Sequence, residues 1–446
     1  MKWTSQTAII GAIVAIAAAL PRNNGQYDSI SIVLVGAALL LVILAASGLG
    51  LAIIEERGQA VVRWALAGGI LVLSFLFFTQ PIFSAAMPRW IALSLAATVC
   101  SFALPIMLGR LPANNWVAWL LVGTVFAFCA MTVWTHQNFV VDVRLTLHVA
   151  AQALLHGNDP YLVRFPNIYL HPYDGADNID AHGMLKVGFA YPPLVAIFGI
   201  PGVLFGDVRW SHVLAMTAAA AAIAFARKSQ IAIGAVAMFT LMPLTVYFLA
   251  GGWSEPLSIV LLCGTVWAAV RGASKTTGLF AGLLIASKQY FIVIVPLLWL
   301  LAPDRRGRWQ VIATAILSAV VVTLPLMMWH PAQSFDSVIS FHSRHPFRTD
   351  SLSFLAAFAR SSGLRPPVLV SIGVLIAASL TSTLLAALSP RTPCRFALSV
   401  ALTTLLLFAF SQQAFGNYYI FTYAALCAAL ATCSPQAASG TVKAAV

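Results

Sequence analysis

From residue 6 onward the chain alternates long uncharged apolar runs with short polar connectors. The runs cover residues 6–21, 29–54, 64–86, 89–110, 115–135, 209–227, 231–251, 254–271, 309–329, 367–388, 395–411 and 417–433. Most are long enough for lipid, where a helix must satisfy its own backbone groups and show an apolar surface. Together they predict an all-α polytopic membrane protein of about 12–14 membrane helices. Two further stretches break the pattern. Residues 191–206 are short, begin Tyr191-Pro192-Pro193 and contain Pro201, so they are not expected to cross fully. Residues 277–302 carry Lys288 in mid-run and are expected to dip in and return as two half-helices. Irregular backbone and a charge survive at membrane depth where they line a cavity. The run after Lys2 reads as a signal anchor, since further runs follow it.

Charge then sets the orientation. Arg57/Arg63, Arg227/Lys228, Arg271/Lys275, Arg305/Arg306/Arg308 and Arg391/Arg395 form short clusters between runs, and such clusters favour the cytoplasm. That choice puts both termini inside and the two long loops, 136–190 and 330–366, outside. The chain divides into a five-helix membrane segment (1–135), a first extracytoplasmic loop with an interfacial helix (136–190), and the remaining membrane helices with the second loop (191–446). Only Glu55, Glu56 and Asp304 among the acids then fall in cytoplasmic loops.

Composition agrees. The chain is 60% hydrophobic and 9% charged, with mean hydropathy +0.90, against about 25% charged residues in an ordinary soluble domain. The net charge of +12 is spread over short loops without a basic stripe, which argues against nucleic acid. The six cysteines lie in or beside apolar runs with no CxxC pair, indicating neither a disulfide framework nor a thiolate metal site. No phosphate-binding loop, nucleophile elbow, HExxH or dinucleotide fingerprint stands at a sensible place. A nucleotide-driven cytosolic enzyme is therefore disfavoured.

Chemistry concentrates in the outer loops. In "NFVVDVRLTLHVAAQALLHGNDPY", Val140, Val143, Leu147, Ala150, Ala151 and Leu154 recur at helical spacing, and Gly157-Asn158 with Pro160 ends the helix. Asp142 falls in its first turn, which the helix dipole favours. A helix of this kind lies along the interface, so Asp142 is either a reactive carboxylate at the water–lipid boundary or part of a solvated face. Asp174, Asp177 and Asp180, flanked by His171 and His182, leave a divalent metal open, although a turn-rich solvated loop accounts for them equally. The stretch "FHSRHPFRTDS" brings His342, Arg344, His345, Arg348 and Asp350 together, either as a seat for phosphate or as an ordinary basic loop. Lys288 either neutralises a lipid phosphate or pairs with an internal acid. Glu255, in "GGWSEPL", stands at an outer helix end.

In order along the chain, "DVRLTLHVAAQALLHGNDPY", "YPPLVAIFGIPGVLFGDVRW", "GGWSEPL", "GLFAGLLIASKQYFIVIVPLLWLL" and "SQQAFGNYYIFTYAAL" resemble the polyprenyl-phosphate-sugar-dependent GT-C glycosyltransferases. The resemblance is to glycosyltransferase family 87, which includes mannosyltransferases, and it spans roughly residues 138–430. It departs from the family pattern in two respects: four extra spans precede the large loop, and Asn417 stands before Tyr418 where a histidine is commoner. The resemblance implies a hexose, mannose first, moved from a polyprenyl-phosphate donor to an extracytoplasmic glycolipid or polysaccharide by inverting single displacement. Asp142 would be the base. Lys288, with Arg344 or Arg348, would hold the donor phosphate. Tyr161, Tyr191, Glu255, Tyr290, Asn417 and Tyr418 would form the substrate and lipid groove. The expected cofactor set is the lipid-linked sugar alone, with a divalent metal left open. The expected site faces outward from the cell (inner) membrane. Two other readings are a transporter or flippase for a lipid-linked sugar and a non-catalytic subunit of a cell-envelope polymer assembly.

Overall fold

A computed structural model describes residues 2–79, 96–110, 114–168 and 179–433. Its longer helices are α1 (Trp3–Ala19), α2 (Ser29–Ser47), α3 (Gln59–Phe78), α4 (Asn115–Thr135), α5 (Asp142–Leu155), α6 (Pro193–Leu204), α7 (Arg209–Ala224), α8 (Gln230–Thr240), α9 (Glu255–Val270), α10 (Ser274–Ser287), α11 (Arg305–Met327), α12 (Val368–Leu388), α13 (Pro393–Ala409) and α14 (Gly416–Thr432). Among the described residues no strand forms; two isolated bridges, Pro166 with Met184 and Ile179 with Leu185, tie the first outer loop. Five helices, α2, α3, α4, α11 and α12, are long and apolar enough to cross a membrane. α11 and α12 leave Leu317, Leu324, Leu369 and Leu388 exposed, a surface suited to lipid and costly in water. The chain is thus built as a helical multi-pass membrane protein.

Several expected spans differ from what forms. Those at 6–21, 209–227, 254–271, 395–411 and 417–433 become α1, α7, α9, α13 and α14, each 16 or 17 residues long. α1, α9, α13 and α14 are mostly buried by their neighbours, so the bilayer does not set their lengths. The run 231–251 is not one helix. α8 stops at Thr240, Pro243 follows, Leu244 takes a left-handed φ of 63°, and a short helix resumes at Thr245–Ala250. Proline cannot supply the backbone donor that continuation needs. The runs 64–86 and 89–110 lie partly outside the described residues. The expectation of no disulfide also fails: Cys394 and Cys433, at the start of α13 and just past the end of α14, are joined with Cα atoms 5.3 Å apart.

Both irregular stretches bend sharply or break. α6 is 12 residues long and turns 105° from α7. It lies against α5, where Gly199 meets Ala151 and Leu147. α10 and the following 3-10 helix, Gln289–Leu300, flank an extended Lys288 (φ −150°). α10 runs parallel to α11: a Cβ on Gly278 would lie 2.5 Å from the Val311 carbonyl oxygen, and one on Gly282 would lie 2.1 Å from that of Ala315. Small residues permit such close backbone approach. The 3-10 helix then comes back to the first turns of α11, where Trp299 meets Trp309 at 6.3 Å and Arg308 lies over Trp299. Both arms therefore start and finish at one level, with Lys288 at the tip.

The basic clusters share one end of the bundle. Arg271 donates to the Phe225 carbonyl beside Arg227, Gln230 to that of Gly109, which abuts Arg63, and Arg395 to that of Ala46. Ser274 meets Gly307 there, and Gln6 bonds the Cys433 carbonyl. Lys288, α5 and the described parts of the two long loops, 136–190 and 330–366, occupy the opposite end.

Candidate functional site

At that opposite end lies a cavity of about 490 Å³, whose walls include Asp142 of α5, Tyr191, Lys288, Tyr290, Arg348, Asn417 and Tyr418. Residues far apart in sequence converge because four parts of the chain are pinned together. Arg144 donates to the carbonyls of Gln137 (2.9 Å) and Phe139 (2.7 Å) and to Asp207 (3.0 Å). Arg209, wholly buried, donates to the same Asp207 and to the carbonyls of His136 (2.8 Å) and Ala250 (3.3 Å). One carboxylate thus gathers the end of α4, the start of α5, the α6–α7 bend and the 250 turn. Gly252 (φ 63°) belongs to that turn, where a Cβ would come 3.0 Å from that of Arg144. The first turn of α5, with Asp142, is fixed by this network. Asp207 and Arg209 are absent from the sequence-level site; their only local signal is an acid two residues before an arginine at a bend.

Lys288 resolves as a paired cation on the cavity wall. Its Nζ lies 3.3 Å from Glu255 Oε1 and 4.9 Å from the centre of the Tyr191 ring. Asn417 donates to the same Glu255 oxygen at 3.1 Å, while Oε2 accepts no hydrogen bond among the described residues. Glu255, 2% exposed, is absent from the wall itself and stands as the counter-ion of Lys288. Tyr161 is likewise not a groove residue. It is buried and donates to the Tyr191 carbonyl at 3.0 Å, holding that ring in place.

The two candidate arginines separate. Arg344 is exposed and grips Asp336 with both terminal nitrogens (2.8 and 3.2 Å), off the cavity wall. Arg348 lines the cavity, lies over Phe415 and bonds Asp350, with Nε at 2.7 Å. His342 and His345 also line it, stacked 5.7 Å apart. His342 Nε2 is 2.8 Å from the Ala190 carbonyl; a carbonyl only accepts, so that nitrogen carries the proton. Both rings touch the cavity within a protein-dense surround that disfavours charge. Burial, with Lys288 nearby, lowers the His342 pKa. Burial, with His342, Arg348 and Arg344 nearby, pushes His345 down to about 4. Both are neutral at pH 7.

Asn24 and Gln26, from the α1–α2 connector, complete the polar wall and have no warning in the sequence pattern. A second cavity of about 230 Å³ shares Tyr290, His342, His345 and Tyr418 with the first. Its far wall is Ser371, Val374 and Leu375 of the lipid-exposed α12, with Leu407 and Phe408 of α13. The chamber therefore adjoins a smaller cavity that reaches the exposed helix α12.

His171, Asp174 and Asp177 lie outside the described residues. Asp180 accepts the backbone N–H groups of His182 and Met184, both at 2.9 Å, as in an ordinary turn. No group of three or more His, Cys, Asp or Glu side chains able to hold a metal occurs among the described residues. No family model, curated protein or solved structure matches the chain.

Proposed function

We propose that the chain is an integral-membrane glycosyltransferase that moves a hexose from a polyprenyl-phosphate donor to a glycolipid or polysaccharide acceptor. The observation that carries this reading is the meeting of Asp142 with Lys288 and Arg348 on one cavity that continues toward a lipid-facing helix. The positive-inside rule assigns the basic end to the cytoplasm, so the cavity faces out from the cell membrane. Nucleotide donors are absent there, and a donor arriving in the bilayer needs both a polar chamber and an apolar exit.

The chemistry asks little of the protein. Asp142 takes the proton of an acceptor hydroxyl while its oxygen attacks the anomeric carbon. The bond from that carbon to the phosphate oxygen breaks, and its electron pair leaves with the polyprenyl phosphate. Lys288 and Arg348 stabilise the charge that develops there. Phosphate is a good leaving group, so one carboxylate suffices and the product is inverted. The neutral His342 and His345 and the side chains of Asn24 and Gln26 offer hydrogen bonds to sugar hydroxyls. Mannose is the first choice of sugar through the family-87 resemblance of the motifs.

The test offers radiolabelled polyprenyl-phosphate sugars and a membrane glycolipid extract to purified protein in lipid, comparing wild type with Asp142→Asn after both are shown to fold. Label moved by wild type alone supports the reading. Transfer that survives in the variant removes Asp142 from the role of base. No transfer with any donor, together with passage of labelled lipid across the bilayer, replaces the enzyme with a transporter.

A further inference from the structure

We propose that a concavity at the basic end, remote from the chamber above, binds the phosphate of an anionic phospholipid headgroup. It encloses about 390 Å³ between the starts of α4 and α8 and the end of α7, and Arg227, Lys228 and Arg271 line it with Asn114, Asn115 and Ser229. No described residue of its wall is acidic. Charges that serve only to orient a chain need no common focus; these surround one hollow.

Arg271 is already arranged. It donates to the Phe225 carbonyl at 2.9 Å, and its guanidinium lies 4.1 Å from the centre of the Trp267 ring. The Asn114 side chain caps nothing, so the first amides of α4 remain available as donors on the same wall. Ser229 does cap α8, accepting from Ala232. Guanidinium groups and uncapped amides are the donors that phosphate oxygens take.

The setting favours a lipid over a soluble anion. Trp116 and Trp119 on the first turns of α4 are exposed, and Trp119 packs on Phe225 at the rim, 4.8 Å between ring centres. Exposed tryptophans at a helix end mark headgroup depth. A phosphate in the hollow would have its acyl chains beside those rings.

The full-length protein in detergent is titrated with short-chain phosphatidylglycerol, with phosphatidylcholine of equal chain length, and with inorganic phosphate, following thermal unfolding. Phosphatidylglycerol is expected to raise the midpoint at concentrations where the other two do not. Arg227→Gln and Lys228→Gln, both at exposed positions, should each weaken that effect about fivefold, the scale for one basic residue at an anionic surface. Lys275→Gln, equally basic and near the same end but off the wall, should leave it unchanged. Equal stabilisation by phosphatidylcholine overturns the proposal, as does equal weakening by Lys275→Gln. Inorganic phosphate matching phosphatidylglycerol overturns the lipid as the ligand.

Discussion

The buried pair at the cavity gives the sharpest test of the fold. Lys288→Met removes the cation 3.3 Å from Glu255 and leaves a carboxylate that is 2% exposed, with Asn417 as its remaining side-chain partner among the described residues. Breaking a buried pair from one side costs about 3–5 kcal/mol, because the remaining charge has neither partner nor water. Unfolding entropy of about 2.1 cal/mol/K per residue converts each kcal/mol into about 1 °C for a chain this long. Lys288→Met should therefore melt about 3–5 °C below wild type. Glu255→Gln should cost less, since Lys288 keeps the Tyr191 ring and the cavity. The double variant removes both charges and should recover most of the loss, coming to within about 1–2 kcal/mol of wild type. The assay is tryptophan fluorescence on heating in lipid nanodiscs, with sugar transfer measured on the same samples. The double variant should regain stability without regaining transfer, which separates the structural pairing from the role at the phosphate. A Lys288→Met protein as stable as wild type, or a double variant no better than the sum of the singles, refutes the buried pair.

Other consequences are more local. Gly188→Ala places a Cβ 2.1 Å from the Tyr161 carbonyl oxygen, a backbone clash that should lower folded yield and displace Tyr191; a near-normal melting midpoint would contradict it. Arg209→Leu leaves Asp207 with Arg144 as its remaining guanidinium partner and the His136 and Ala250 carbonyls without this donor, so a loss of about 3–5 kcal/mol is expected by chemical or thermal unfolding. For His345 the sign follows from a folded pKa of about 4 set against an unfolded value of about 6.5. Between those limits the unfolded chain binds a proton that the fold refuses, so stability falls as pH drops from about 6.5 to about 4 and is level above. His345→Asn should lack that slope, so the difference between the wild-type and variant pH–stability curves should reproduce it. Cys394 and Cys433 are joined, so both should resist a membrane-permeant maleimide until a reductant is added; labelling of both without reductant would contradict the bond and favour a reducing compartment at that end.

The sequence made legible those features that lipid itself enforces. A lysine inside an apolar run cannot face hydrocarbon, so residues 277–302 had to bend, and they do so at Lys288. Apolar residues at three- and four-residue spacing gave α5 and placed Asp142 in its first turn. Hydropathy was blind to breaks: the run 231–251 reads as continuous, although Pro243 within it ends the helix. It was blind also to interior helices, whose lengths follow their neighbours instead of the bilayer. The site residues missed are those whose partners are distant. Asp207 and Arg209 matter because His136 and Ala250 come to them, and nothing local announces this. Arg344 and Arg348, four residues apart in one loop, could not be told apart by spacing; only Arg348 reaches the chamber.

The pairing of Lys288 also bears on how an anion would be held. Glu255 holds Lys288 in place at 3.3 Å, and Asn417, from α14, donates to the same carboxylate oxygen. An arriving phosphate meets an ammonium group whose position is fixed, and it must share that group with Glu255. Affinity for the anion is reduced by this competition, while release of the phosphate after reaction is eased. On the proposed transferase reading, which hands back a lipid phosphate at every turnover, that balance is a gain, because a tighter grip would slow the step that frees the site.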